Sequence, residues 1–199
     1  MCLMKIGEEK MISDGWHQIA YRKDNIEILL STIQPGMPFA EHAHEHIQFG
    51  FCFSGEFTFI AEKEKYLLKQ GEAYILNSNV KHRAEADIEF CALDFKMVLP
   101  QFMKQKIGLF SELGESCTRM DYDFKEYTVT CINNEKSMSC EMTVDFRKQA
   151  PIFIVSQRTS VKVDGKNFVL EPMAIYKTTK YVEHLEIVDR GEMVVITEK

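Results

Sequence analysis

Short runs in which every second residue is apolar constrain this chain more than any other feature. Ile47, Phe49, Phe51 and Phe53 alternate in one run, and Met138, Cys140, Met142 and Val144 in another. Alternate residues of an extended strand share a face, so runs of this kind are strands with one buried side. Turn formers separate them: Gln34-Pro35-Gly36, Ser54-Gly55-Glu56, Lys69-Gln70-Gly71, Asn133-Asn134 and Asp164-Gly165. Many short strands joined by close turns fold into a sandwich or barrel, which predicts an all-β chain. One segment departs from the pattern. Between Pro100 and Phe110, Met103, Ile107 and Phe110 recur at helical spacing behind a proline suited to a first helical turn, which predicts a short linking helix.

Sliding the chain along itself by 102 positions aligns Phe51 with Phe153, Phe59 with Val161, Tyr66 with Phe168, Leu68 with Leu170, Tyr74 with Tyr176 and His82 with His184. Two similar β units on either side of the linking segment are implied. At 199 residues and 45% apolar, the chain is long enough for two small cores. A net charge of −6, with lysines and arginines scattered among acids, argues against a phosphate-backbone or anionic-membrane surface. No apolar run is long enough to span a bilayer, and the start carries no signal-peptide pattern, so a cytoplasmic protein is expected. The six cysteines show no CxxC spacing and are read as reduced, mostly as small hydrophobes within strands.

The chemistry concentrates in Ala40-Glu41-His42-Ala43-His44-Glu45-His46-Ile47-Gln48 and in the distant His82. On an extended strand His42 and His44 point the same way, as two imidazoles must to grip one ion. Solvated histidines on an exposed strand would leave the nearby glycines and His82 without a role. Imidazole suits several first-row divalent ions, so a transition-metal site is expected. His46 shares the parity of its neighbours and would become a further ligand if the strand continued unbroken.

The spacing Gly36, His42, His44, Gln48, Gly55 resembles the first motif of the cupins, and Gly71 with His82 is similar to the second, although Asn77, Asn79 and Ala86 stand where the family usually has proline, glycine and asparagine. This resemblance implies a jelly-roll barrel with the metal on His42, His44, Gln48 and His82. With glutamine at the fourth ligand position, the run is similar to the bicupin isomerases of bacilysin biosynthesis and to the cupins that convert unsaturated uronates. Taken with the linking segment and the repeat, a metal-bearing barrel over 1–98, a helical linker over 99–125 and a degenerate second barrel over 126–199 are expected, the last a departure from bicupins that bear metal in both barrels. Val144, Phe146 and Ala150 fall where the second ligand set would lie. Iron comes first by resemblance, with zinc, manganese, cobalt and nickel open, and homodimers are common in the family.

Three neutral imidazoles and a neutral amide leave the charge of the ion uncompensated, which favours a small anionic substrate. Non-redox isomerisation of an unsaturated oxo acid or sugar acid is the expected activity. An iron-dependent dioxygenase and a non-catalytic binding protein are the alternatives. Cys52 and Tyr74 share strand parity or proximity with this site and are expected to border its cavity, Tyr74 with a hydroxyl able to carry a proton. No residue is assigned as the acid or base.

Overall fold

The computed structural model describes residues 2–97, 106–114, 117–135, 140–146 and 150–199, with the backbone alone described in 106–114 and 140–146. The strands in chain order are β1 (Leu3–Ile6), β2 (Glu8–Ser13), β3 (Trp16–Lys23), β4 (Ile26–Ile33), β5 (Ile47–Ser54), β6 (Glu56–Ala61) and β7 (Glu64–Lys69). They continue with β8 (Ala73–Leu76), β9 (His82–Glu85), β10 (Phe90–Met97), β11 (Lys106–Gly114), β12 (Cys117–Asp123) and β13 (Tyr127–Asn134). The remainder are β14 (Cys140–Phe146), β15 (Ile152–Val155), β16 (Thr159–Val163), β17 (Lys166–Leu170), β18 (Ile175–Thr178), β19 (Val182–Ile187) and β20 (Gly191–Glu198). Among the described residues there is no helix, and no helix long and apolar enough to cross a membrane. The chain is all-β with a jelly-roll fold.

Two compact units divide it: Gly7–Pro100, and Met1–Ile6 together with Gln101–Lys199. The first unit pairs a six-stranded sheet, β2-β3-β4-β10-β5-β8, with a three-stranded sheet, β7-β6-β9. Between them Ile33, Phe57, Phe59, Leu68, Leu76 and Phe90 form a core. In the six-stranded sheet, Asp94, Gly50 and Tyr74 lie side by side on β10, β5 and β8. Glu27, Lys96 and Gln48 form the next row, on β4, β10 and β5. These two rows position the site.

The second unit has a seven-stranded sheet, β1-β18-β15-β20-β13-β12-β11, and a four-stranded one, β14-β19-β16-β17. Its neighbour orders β13-β20-β15-β18 and β17-β16-β19 reproduce β4-β10-β5-β8 and β7-β6-β9 of the first unit. The shift of 102 carries Ala73–Leu76 onto Ile175–Thr178, so the aligned strands hold equivalent places.

Three expectations are corrected. The helix over Pro100–Phe110 and the helical linker over 99–125 give way to β11 and β12, an antiparallel pair; Met103 and the rest of 98–105 lie outside the described residues. A short apolar segment fits both periods, and pairing with β12 satisfies the backbone of β11 as strand. The first unit does not begin at residue 1, because Leu3–Ile6 pairs with β18 of the second unit. Finally, Cys117 is disulfide-bonded, while Cys2, Cys52, Cys91 and Cys131 form no disulfide. Neighbouring strands can bring cysteines together whatever their sequence spacing, so the absence of CxxC was no guide to this bond.

Candidate metal centre

His42 and His82 face each other in an isolated antiparallel bridge. The His42 amide donates to the His82 carbonyl at 3.0 Å and the His82 amide to the His42 carbonyl at 2.8 Å. The His44 carbonyl accepts from the Asn79 amide at 2.7 Å, and Asn79 adopts a left-handed φ of 63°. Asparagine tolerates that conformation, which accounts for the residue standing in this loop. The result brings one ring nitrogen from each of His42, His44 and His82 within 4.8 Å of the others.

Each ring is also oriented from behind. Nδ1 of His42 donates to the Ala40 carbonyl at 3.0 Å, that of His44 to the His46 carbonyl at 3.1 Å, and that of His82 to the Val80 carbonyl at 2.9 Å. A carbonyl only accepts, so Nδ1 carries the proton and Nε2 is left as a bare lone pair, the arrangement metal-binding histidines need. Burial holds the pKa of His44 below its ordinary value, with the adjoining Gln48 side chain opposing and the charge of Lys96 reinforcing the shift. Burial likewise takes His82 down to about 4, so its imidazole is neutral at neutral pH.

Gln48, buried on β5, places Oε1 2.9 Å from Nε2 of His44. With His44 neutral and Nδ1 protonated, these are two lone-pair atoms facing each other, and a cation between them relieves the repulsion. Ligand atoms about 2.1 Å from a metal and at right angles to one another lie about 3 Å apart. The donor set therefore fits a first-row divalent ion. The Gln48 amide is held by its other end: Nε2 donates to Tyr74 Oη at 2.6 Å and to Asp94 Oδ1 at 2.8 Å. Tyr74 donates its own proton to Asp94 Oδ1 at 2.7 Å. Burial, then the adjoining Asp94 carboxylate, raises the Tyr74 pKa well above 10, so the phenol keeps its proton. Burial raises Asp94 as well, against the pull of Lys96 and of the Tyr74 hydrogen bond.

A cavity of about 300 Å³ opens on this cluster and lies wholly within the first unit, with His42, Gln48, Tyr74, His82, Asp94 and Lys96 in its wall. Its other wall is aromatic: Trp16 and Phe39 have ring centroids 4.8 Å apart, and Phe57 and Phe90 stack at 4.5 Å. The indole Nε1 of Trp16 is buried without a hydrogen-bond partner. Lys96 is 3.7 Å from Glu27, which also pairs with Arg22.

Of the residues singled out in the sequence, His42, His44, Gln48 and His82 come together and Tyr74 borders the cavity. His46 does not join the ring-nitrogen cluster; its contribution is the carbonyl that orients His44. Cys52, expected at the cavity, is packed in the core instead, with Sγ 3.4 Å from the Ser54 carbonyl. Asp94 and Lys96 went unnoticed in the sequence. The signal was there: within FCALDFKM they take the parity opposite to Leu93, Phe95 and Met97, so two charges sit on one face of an otherwise apolar strand.

Residues 29–91 match the cupin domain family, so the first unit carries a cupin domain. Over 86 residues it is 31% identical to the H2HPP isomerase of Bacillus subtilis, a match covering 42% of this chain and 36% of that protein. Over 84 residues it is 31% identical to the L-ectoine synthase of Vibrio campbellii, covering 40% of this chain and 66% of the other. The chain thus spans about a third of the length of the first relative and just under two thirds of the second. Among solved structures, AerE from Microcystis aeruginosa shares the fold over 98% of both chains, with a TM-score of 0.71 at 12% identity.

Proposed function

We propose that the first unit holds one first-row divalent transition metal on Nε2 of His42, His44 and His82 and Oε1 of Gln48, and catalyses non-redox isomerisation of a small unsaturated oxo acid or sugar acid. The observation that carries this is the set of three imidazoles, each protonated toward a backbone carbonyl, converging with an amide oxygen at the wall of a cavity of about 300 Å³. That volume suits a metabolite-sized ligand. A bound ion supplies Lewis acidity, polarising a substrate oxygen and easing proton movement beside it. The chain supplies the rest. Lys96 places a positive charge beside the ligand set for an anionic substrate, the aromatic wall excludes water from the apolar part, and Tyr74 keeps its phenolic proton. The relatives named an isomerase and a synthase carry names of non-redox enzymes, which supports this reading over the dioxygenase.

Metal analysis of the wild type against a His42→Ala, His82→Ala double variant tests the site: the wild type retains about one ion per chain and the variant none. Equal content in both refutes the ligand set. Turnover of a panel of unsaturated oxo and sugar acids, under anaerobic conditions with zinc-loaded and iron-loaded protein, tests the reaction. Activity without oxygen and with zinc is expected. Strict dependence on iron and oxygen gives the dioxygenase, and tight binding without turnover gives a binding protein.

A further inference from the structure

We propose that Asp94 is a positioning residue that dictates glutamine at position 48: its carboxylate, with Tyr74, accepts both amide protons of Gln48 and so turns the amide oxygen toward the histidines. The inference rests on the reading of this cluster as a metal centre. Three bonds close the arrangement. Gln48 Nε2 donates to Tyr74 Oη at 2.6 Å and to Asp94 Oδ1 at 2.8 Å, and Tyr74 Oη donates to Asp94 Oδ1 at 2.7 Å. Because the phenol spends its own proton on Asp94, it can only accept from position 48. Both positions behind residue 48 are therefore acceptors, and only a side chain with two donors at its far end satisfies them. Rotating the amide by half a turn would set Oε1 against Asp94 and the phenol oxygen and leave Nε2–H toward the imidazoles.

The backbone is shaped for this arrangement. Gly50 stands between Asp94 and Tyr74 in the sheet row, and a Cβ there would lie 1.9 Å from Tyr74 Cε1 and 2.1 Å from Cζ. Lacking a side chain, Gly50 lets the phenol lie across β5 and reach the carboxylate. A glutamate at position 48 would bring a second carboxylate oxygen to hydrogen-bond distance of Asp94 Oδ1 with no proton to share. Behind position 48, Asp94 Oδ1 and the phenol oxygen are both acceptors, so a second carboxylate there leaves each of them without the donor that the Gln48 amide supplies.

The test is a charge exchange. Metal-free wild type, Gln48→Glu, Asp94→Asn and the Gln48→Glu, Asp94→Asn double variant are titrated with Co²⁺, read by calorimetry and by the visible cobalt spectrum, and melted without metal. Gln48→Glu is expected to weaken Co²⁺ binding by about 10-fold or more, the usual scale for disturbing groups behind a ligand, and to lower the metal-free melting midpoint. Adding Asp94→Asn, whose amide can donate to the new carboxylate, is expected to restore both to near the wild-type values. A glutamate ligand acting independently of Asp94 would instead tighten binding. Gln48→Glu binding Co²⁺ as well as or better than wild type, or a double variant no better than the single, overturns the proposal. If Gln48→Glu fails to fold, a folded double variant is the rescue and an unfolded one refutes it. A wild type that takes up no Co²⁺ refutes the metal centre itself, while the metal-free melts still decide whether residues 48 and 94 are matched.

Discussion

Gly50 shows how a single missing side chain organises the site. Its neighbours across the sheet, Asp94 and Tyr74, meet only because the space above its Cα is open. Gly50→Ala forces the buried Tyr74 ring aside, and overpacking of this kind costs about 1–3 kcal/mol. A lower urea midpoint, together with reduced metal retention as Gln48 loses its phenolic acceptor, is the expected result; unchanged values of both would contradict the packing described. The histidine pair was legible from its spacing on one short segment, and Gln48 from the resemblance of that segment to the first cupin motif. The partnership of Asp94 with Gln48 was not, because the two lie 46 positions apart along the chain, and the parity that sets Asp94 on one face of β10 does not reveal which residue the neighbouring strand presents.

Hairpins and turns show the same division between local and distant information. Asp164-Gly165 joins β16 to β17 with positive φ at both residues, 46° and 77°, as the tight turn between twisted strands requires. Its side chain does more: Asp164 Oδ1 accepts from the amides of Glu183 at 3.0 Å and His184 at 2.9 Å. The equivalent hairpin of the first unit joins β6 to β7 through Glu62, at φ 55°, a conformation that glutamate adopts at a cost and glycine freely. Glu62→Gly is expected to stabilise the protein by about 0.5–1 kcal/mol, measured as a raised thermal midpoint, since its amide bond to the Lys81 carbonyl needs no side chain.

The connection after β19 carries a pH dependence. Asp189 Oδ2 accepts from the Ser160 amide at 2.7 Å, and its hydrogen bonds with Ser160 hold its pKa below the ordinary aspartate value. The unfolded chain then binds the proton more readily. The stabilisation is present above about pH 4 and is lost as the pH falls through the folded value. Asp189→Ala should lower the melting midpoint by a few degrees at pH 7, with the gap from wild type closing below about pH 4. The alternation that announced such strands could not announce β11, because Ile107 recurs with Phe110 at helical spacing and with Leu109 at strand spacing, and only the partner strand β12 decides between them.

Across the whole molecule one topology is used twice with different consequences. The 102-residue shift places strands in equivalent positions, but it sets Val144, Phe146 and Ala150 against His42, His44 and Gln48, leaving His184, exposed, opposite His82. This repeat was faint in the sequence because the two halves share the periodicity and hydrophobicity that a jelly roll needs, and few side-chain identities. The N-terminal strand β1 was missed because its partner, β18, lies at the far end of the chain. Metal should therefore act on one unit. Binding to the folded state suppresses local opening of the segments that supply ligands, in proportion to ligand concentration over its dissociation constant. Hydrogen-exchange mass spectrometry with and without saturating Zn²⁺ should show slower exchange in peptides covering residues 42–50 and 76–85, where the His42–His82 bridge and the Asn79 amide hold the site. Peptides covering 152–187, which hold the equivalent strands without a ligand cluster among the described residues, should exchange at the same rate in both conditions. Equal protection of both halves would place a second ion in the second unit, and protection of neither would remove the metal from the first.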